Sequence, residues 1–216
     1  MSNNRNTSDY LRRQTKTRET RKRFLIVCEG EKTEVNYFKA FDVPKKIEVT
    51  VRGEGKNSLS LVNKAIQIID NLKKDDSFDQ IWCVFDKDNC SKEQFNQAER
   101  LAKENNVKIA YSNEAFEIWF ILHFQYLDIA TSRSEYPKIL NTQMKKCELL
   151  NKNKKEKYAK NREDMYEKLK PYQTTAITNA AKLIQDRDEA KKHPFDANPS
   201  TTVQELVQEL NINSRP

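Results

Sequence analysis

The strongest constraint on this chain is a set of short apolar runs that stop at an acid or a polar turn. Phe24-Leu25-Ile26-Val27-Cys28 follows Arg21-Lys22-Arg23 and ends at Glu29. Ile81 to Phe85 ends at Asp86 in the same way. Unbroken apolar runs of this kind read as strands buried on both faces, the habit of parallel sheets. Ile47–Val51 alternates and reads as another strand, and Val107–Tyr111 as a fourth. Helical patterns fill the gaps. Thr33–Phe41 carries Val35, Phe38 and Phe41, and a helix capped by Ser58 carries Leu61, Val62, Ala65 and Ile68. Ser91 and Gln94 have capping-box spacing for a helix through Lys103, and Phe116–Phe124 is apolar enough for a buried helix. Strand alternating with helix predicts a three-layer α/β domain over residues 24–134, with a mostly parallel four-stranded sheet.

Past residue 125 the strand signal stops. Residues 135–216 read as a Lys-rich helical region packing on that domain, with breaks at Pro137 and Pro171. Thr202 and Glu205 have capping-box spacing for a last helix with Val203, Leu206, Val207 and Leu210 on one face. Residues 1–23 form a basic arm, with eight Lys/Arg against Asp9 and Glu19. Residues 138–170 hold eleven Lys/Arg against five acids, so each segment carries +6. The whole chain carries +7, which leaves −5 for the rest. An acidic body between basic segments suits a partner with a phosphate backbone, although a charge run can equally be a solvated arm.

Several classes are excluded. With three glycines the chain has no Walker A or GxGxxG cradle. Its mean hydropathy of −0.92 goes with no apolar stretch long enough to span a membrane. No apolar core backs the N-terminal basic residues, so no secretory signal is expected. Cys28, Cys83, Cys90 and Cys147 form no CxxC pair and the two histidines lie far apart, so no zinc set is expected. The expectation is a reduced, cytoplasmic protein.

Ligands of open α/β sheets bind outside the carboxyl ends of the strands. There the sequence puts Glu29 and Glu34, then Asp86-Lys87-Asp88, then Glu114 and Glu117. If the strand runs on to Asp88, the two aspartates leave one face ~6.5–7 Å apart. Carboxylates gathered so repel one another, and a hard divalent cation resolves the conflict. Read as ordinary surface acids they need no such partner, and Asp-x-Asp alone is a weak signal.

A strand ending in Glu-Gly followed by a later strand ending in Asp-x-Asp resembles the Toprim metal-binding domain. The chain is more similar still to the RloB-like proteins, Toprim-type proteins associated with bacterial restriction and abortive-infection loci. The resemblance is carried by Phe24–Phe38, Ile81–Asn89, Ser112–Phe124, the Tyr158–Lys160 region and Asn198–Val203. Before Phe116-Glu117 the family usually has Asn-Pro-Cys, where this chain has Asn113-Glu114-Ala115. The resemblance implies a Mg²⁺- or Mn²⁺-dependent nuclease with Glu29, Asp86 and Asp88 catalytic. Glu34 would be the second acid of a Glu-Gly-x-x-Glu motif, here one residue longer. Glu29, Glu34, Asp86, Asp88 and Glu117 would hold metal.

Arg21, Lys22, Arg23, Lys32, Lys87 and Lys160 are candidates for the phosphate backbone of DNA or RNA. His123 reads first as a core histidine and second as a general base. Ser200 and Thr201 could present hydroxyls to a phosphate at a helix start, or merely cap it. The alternatives to a nuclease are a non-catalytic nucleic-acid adaptor for a partner ATPase, and a phosphatase with Asp86 as nucleophile. Homo-oligomerisation stays open.

Overall fold

The computed structural model describes residues 22–42, 47–54, 57–72, 77–87, 90–151 and 155–212. Arg21, most of the basic arm and Asp88 lie outside them. The chain runs β1 (Lys22–Cys28), α1 (Thr33–Lys39), β2 (Ile47–Gly53), α2 (Ser58–Asp70), β3 (Gln80–Asp86), α3 (Lys92–Glu104), β4 (Lys108–Asn113) and α4 (Glu117–Leu122). It continues through α5 (Tyr136–Lys146), α6 (Met165–Leu169), α7 (Gln173–Glu189), β5 (Ser200–Thr201) and α8 (Val203–Ile212).

One mixed sheet of five strands holds these together, in the order β2-β1-β3-β4-β5. β1 to β4 are parallel, and β5 pairs antiparallel with β4. The fifth strand corrects the four-strand expectation. It is two polar residues long, too short for any period-2 pattern. Its anchors are hydrogen bonds: Thr201 Oγ1 donates to the Tyr111 carbonyl at 3.0 Å and lies 3.1 Å from Ser112 Oγ. Ser200 Oγ donates to the Ala197 carbonyl at 2.8 Å.

Alternation along β1 divides the core. Phe24, Ile26 and Cys28 point to one face with Trp82, Val84 and Ala110, under α1 and α4 to α8. Leu25 and Val27 point to the other with Cys83, Phe85 and Tyr111, under α2 and α3. All five β1 residues from Phe24 to Cys28 have no exposed surface. Each such apolar side chain contributes about 1.5–3 kcal/mol by leaving water. Residues of α5 to α8 share the first core with β1, so the C-terminal helices complete the layer over that face.

The helix ends differ in detail from the sequence expectation. Ser91 and Gln94 form the expected capping box of α3. Asn57, not Ser58, caps α2, its side chain accepting from Ser60 N at 3.1 Å. Pro137 opens α5 instead of breaking a helix, because proline tolerates the first turn, where no amide partner is needed. Thr202 forms no capping box, since its hydroxyl accepts from Tyr111 N at 3.0 Å. Thr201 Oγ1 takes the Val203 amide instead, at 3.2 Å. Among the described residues no helix is long and apolar enough to cross a membrane.

Candidate functional site

The direction of the chain reverses between β1 and β3. From β1 it crosses outward to β2, and from β3 it crosses the other way to β4. The connections diverge at that point and leave a crevice at the carboxyl ends of the strands. A cleft of about 470 Å³ opens there, lined by Glu29, Gly30, Glu31, Lys32, Thr33, Glu34, Asp86, Phe116, Glu117, Arg133 and Lys160.

Each acid is placed by a different element. Glu29 directly follows β1; its amide donates to the Val84 carbonyl at 2.8 Å, so its backbone stays in the ladder. Its carboxylate receives the Asp86 amide at 3.1 Å, which ties the two strand ends together. Asp86 is the last residue of β3 and points to the α1/α4 face by alternation from Trp82 and Val84. Glu34 lies in the first turn of α1 and Glu117 opens α4. Aromatic packing sets these helices side by side: the Tyr37 ring centroid is 5.9 Å from Phe116 and 5.6 Å from Phe120.

Gly30 shows why a glycine follows Glu29. A Cβ there would come within 2.1 Å of the Glu34 carboxylate. The motif's glycine is therefore a seat for Glu34.

The acids are crowded. Glu34, Asp86 and Glu117 are all buried. Burial first, then the charges of Glu117 and Glu29, push the Glu34 carboxyl up to about 7. Burial, then the charges of Glu34, Glu117 and Glu29, push Asp86 well above the usual carboxylate range, with Arg133 opposing. Asp86 Oδ1 is buried with no hydrogen-bond partner among the described residues. In kind, this donor set fits a hard cation, being all oxygen with one buried oxygen unpartnered. Mg²⁺ needs only one or two carboxylates and keeps its waters for the rest. No cluster of three or more His, Cys, Asp or Glu among the described residues is close enough to hold a metal.

Cations line the same cleft. Lys160 Nζ lies 2.9 Å from Glu117 Oε1, and the Tyr158 hydroxyl donates to the same oxygen at 3.3 Å. The loop carrying them is fastened to α1, with Thr33 Oγ1 donating to the Lys160 carbonyl at 2.8 Å. Arg133 enters from the loop after α4, its amide bound to Glu114 Oε2 at 2.8 Å. Sequence reasoning missed Arg133, which sits in a polar turn without periodicity, and missed the Tyr158 hydroxyl as a partner of Glu117.

The other candidates lie elsewhere. β3 ends at Asp86, and Asp88 lies outside the described residues. Lys22 and Arg23 begin β1 at the opposite end of the sheet, ~20 Å away along a seven-residue strand. Lys87 turns toward the Phe195 ring, 4.4 Å from its centroid. His123 is buried, with Nδ1 2.8 Å from the Trp119 carbonyl, and burial lowers it to about 4. It does not line the cleft. Ser200 and Thr201 are fully buried and spend their hydroxyls on the sheet edge and the start of α8. Lys32 and Lys160 do line the cleft.

The model of the RloB-like protein family matches residues 24–210, from the first buried residue of β1 to the last turn of α8. No curated protein and no solved structure matches the chain. The extent of the family match shows that this chain belongs to the RloB-like family.

Proposed function

We propose that this chain is a divalent-metal-dependent phosphodiesterase that cleaves nucleic acid, in line with its Toprim-type resemblance. The observation that carries the reading is one cleft at the strand ends that gathers Glu29, Glu34, Asp86 and Glu117 with Lys32, Arg133 and Lys160 on its walls. Glu29 and Asp86 would hold Mg²⁺ or Mn²⁺, with Glu34 and Glu117 as further oxygen donors once their side chains shift toward the ion, and Asp88 as another. Such an ion supplies Lewis-acid stabilisation of the charge that develops on a phosphodiester in attack.

The chain's own groups do the rest. The Glu29 carboxylate, fixed by the Asp86 amide, keeps both strand ends in register. Arg133, Lys32 and Lys160 attract the anionic backbone; a guanidinium grips phosphate in a fork, an ammonium as a point charge. Phe116 forms an apolar wall that limits water around the acids. The same proposal includes a cytoplasmic role in defence against phage, which the resemblance to the RloB-like proteins implies; a partner ATPase belongs to the alternative adaptor reading.

The test is cleavage of labelled DNA and RNA by purified protein with Mn²⁺, with EDTA, and with Asp86→Asn. Cutting that needs the metal and Asp86 supports the reading. Metal-independent binding without cutting, equal in wild type and variant, overturns it in favour of a non-catalytic adaptor.

A further inference from the structure

We propose that Lys160 is an exchangeable counter-cation. It occupies Glu117 when the cleft holds no metal, gives that carboxylate up when a divalent ion enters, and then serves the substrate phosphate. This rests on the metal-dependent reading above and adds to it a coupling between metal loading and phosphate capture.

Glu117 is only 3 % exposed, and a bare carboxylate at that depth is costly. Its two partners are built differently. Tyr158 is buried with its ring beside Phe120, so its hydroxyl is a fixed donor. Lys160 has the opposite design. Its carbonyl is held by Thr33 Oγ1 at 2.8 Å, and the next carbonyl, Asn161, by Asn36 Nδ2 at 3.2 Å. Its side chain is 53 % exposed. A pinned backbone with a free four-carbon stem lets the ammonium swing by several ångströms while the loop stays put.

Arg162, two residues on, shows the contrast. Its guanidinium is only 13 % exposed and is locked between Glu156 and Asp164. The loop thus presents one fixed cation and one that can leave.

Charge explains why Lys160 would leave. A single ammonium on Glu117 leaves Asp86 Oδ1 unpartnered and eases Glu34 only in part, since burial and the neighbouring acids still push that carboxyl up to about 7. A divalent ion brings twice the charge to the same cleft and competes for the same carboxylate. The displaced ammonium stays at the rim because its backbone is held there, next to any phosphate drawn to the ion. Lysine is therefore a resident placeholder without a metal and a substrate contact with one.

The test is a calorimetric Mn²⁺ titration of the full chain without nucleic acid. Lys160→Met keeps the stem and removes the charge, and is expected to bind Mn²⁺ about tenfold more tightly than wild type. Lys160→Arg keeps the charge and should bind no more tightly than wild type. Lys170→Met is the matched control: Lys170 pairs with Asp42 on the surface at 2.8 Å, so its loss removes the same charge away from the cleft. It should shift Mn²⁺ affinity less than twofold. With Ca²⁺ present, Lys160→Met should also bind an oligonucleotide several-fold more weakly than Lys170→Met does. Mn²⁺ affinity in Lys160→Met equal to or below that of Lys170→Met overturns the exchange and leaves the metal reading standing. A wild-type chain that takes up no Mn²⁺ overturns both.

Discussion

The two ends of one sheet treat charge in opposite ways. At the amino end, Arg23, Lys108 and Glu209 have neighbours of their own. Arg23 donates to the Ser77 carbonyl at 3.0 Å, lies over the Phe78 ring, and gives its amide to Asp79 at 2.7 Å. Glu209 receives Lys108 at 2.9 Å and Gln80 at 2.9 Å, and the Lys108 contact holds its carboxyl below the usual range. At the carboxyl end, the acids face one another, and Glu34 and Asp86 are pushed up instead. The same strands connect both ends, so the difference does not come from the fold. Pairing at one end supports structure, while conflict kept at the other marks the place where an outside charge belongs.

The comparison breaks first at Asp86. Asp86→Asn is expected to reduce metal-dependent cleavage by ~10³-fold, as a loss of several kcal/mol of charge stabilisation would. The same change should raise the melting temperature of metal-free protein at pH 8, because it removes an acid that burial and its neighbours oppose. Cleavage and thermal melting measured on one preparation check both signs. A variant that loses cutting and stability together would make Asp86 a structural residue.

Next in size is the pH response. Glu34 titrates near 7 when folded against 4.5 when free, so the folded state binds the proton more tightly. Its stabilising contribution is complete below pH 4.5 and lost as pH rises through 7. For Glu34 alone the loss is on the order of 3 kcal/mol. Asp86 acts in the same direction. Metal-free protein should therefore melt at lower temperature at pH 8 than at pH 5, and Mn²⁺ should restore more at pH 8. A melting temperature that rises over this interval would refute the crowded-acid account.

Gly30→Ala should have a smaller effect. The nearest atoms to the added methyl are the flexible end of Glu34, so the fold should survive while the carboxylate moves off its seat. Cleavage is expected to fall by about 10–100-fold, the usual loss when a group that orients a ligand is disturbed. The pH dependence of melting should flatten with it. Circular dichroism with cleavage and melting separates this outcome from unfolding.

These effects also show which parts the sequence made legible. β1 and β3 were readable because burial on both faces demands unbroken apolar runs, and Glu29 and Asp86 followed because strand ends are where ligands bind. β5 was not readable, since two buried hydroxyl residues paired to β4 carry no hydrophobic period. The basic candidates divided for a geometric reason. Charge counts do not say which end of a strand a lysine reaches, so Lys22 and Arg23 fell at the far end while Lys32 fell in the cleft. Arg133 and the Tyr158–Glu117 contact arise from loops docking across the sheet, with 19 residues between Arg133 and Glu114 and 41 between Tyr158 and Glu117. Contacts between residues this far apart in sequence leave no local periodic trace.

The smallest effect belongs to the amino end, and it sharpens the contrast most directly. Lys108 and Glu209 are 45 % and 32 % exposed, so water screens their attraction. Lys108→Met should lower stability by less than about 1 kcal/mol, the usual range for a surface pair. The carboxyl of Glu209 loses the partner that holds it down, so the small loss should appear above pH 5 and vanish as both states protonate. Cleavage and Mn²⁺ affinity should match wild type, because the substitution lies a strand's length from the cleft. If Lys108→Met changed cleavage as Asp86→Asn does, the two ends would be coupled, and charge conflict would no longer mark the carboxyl end as the separate seat of function.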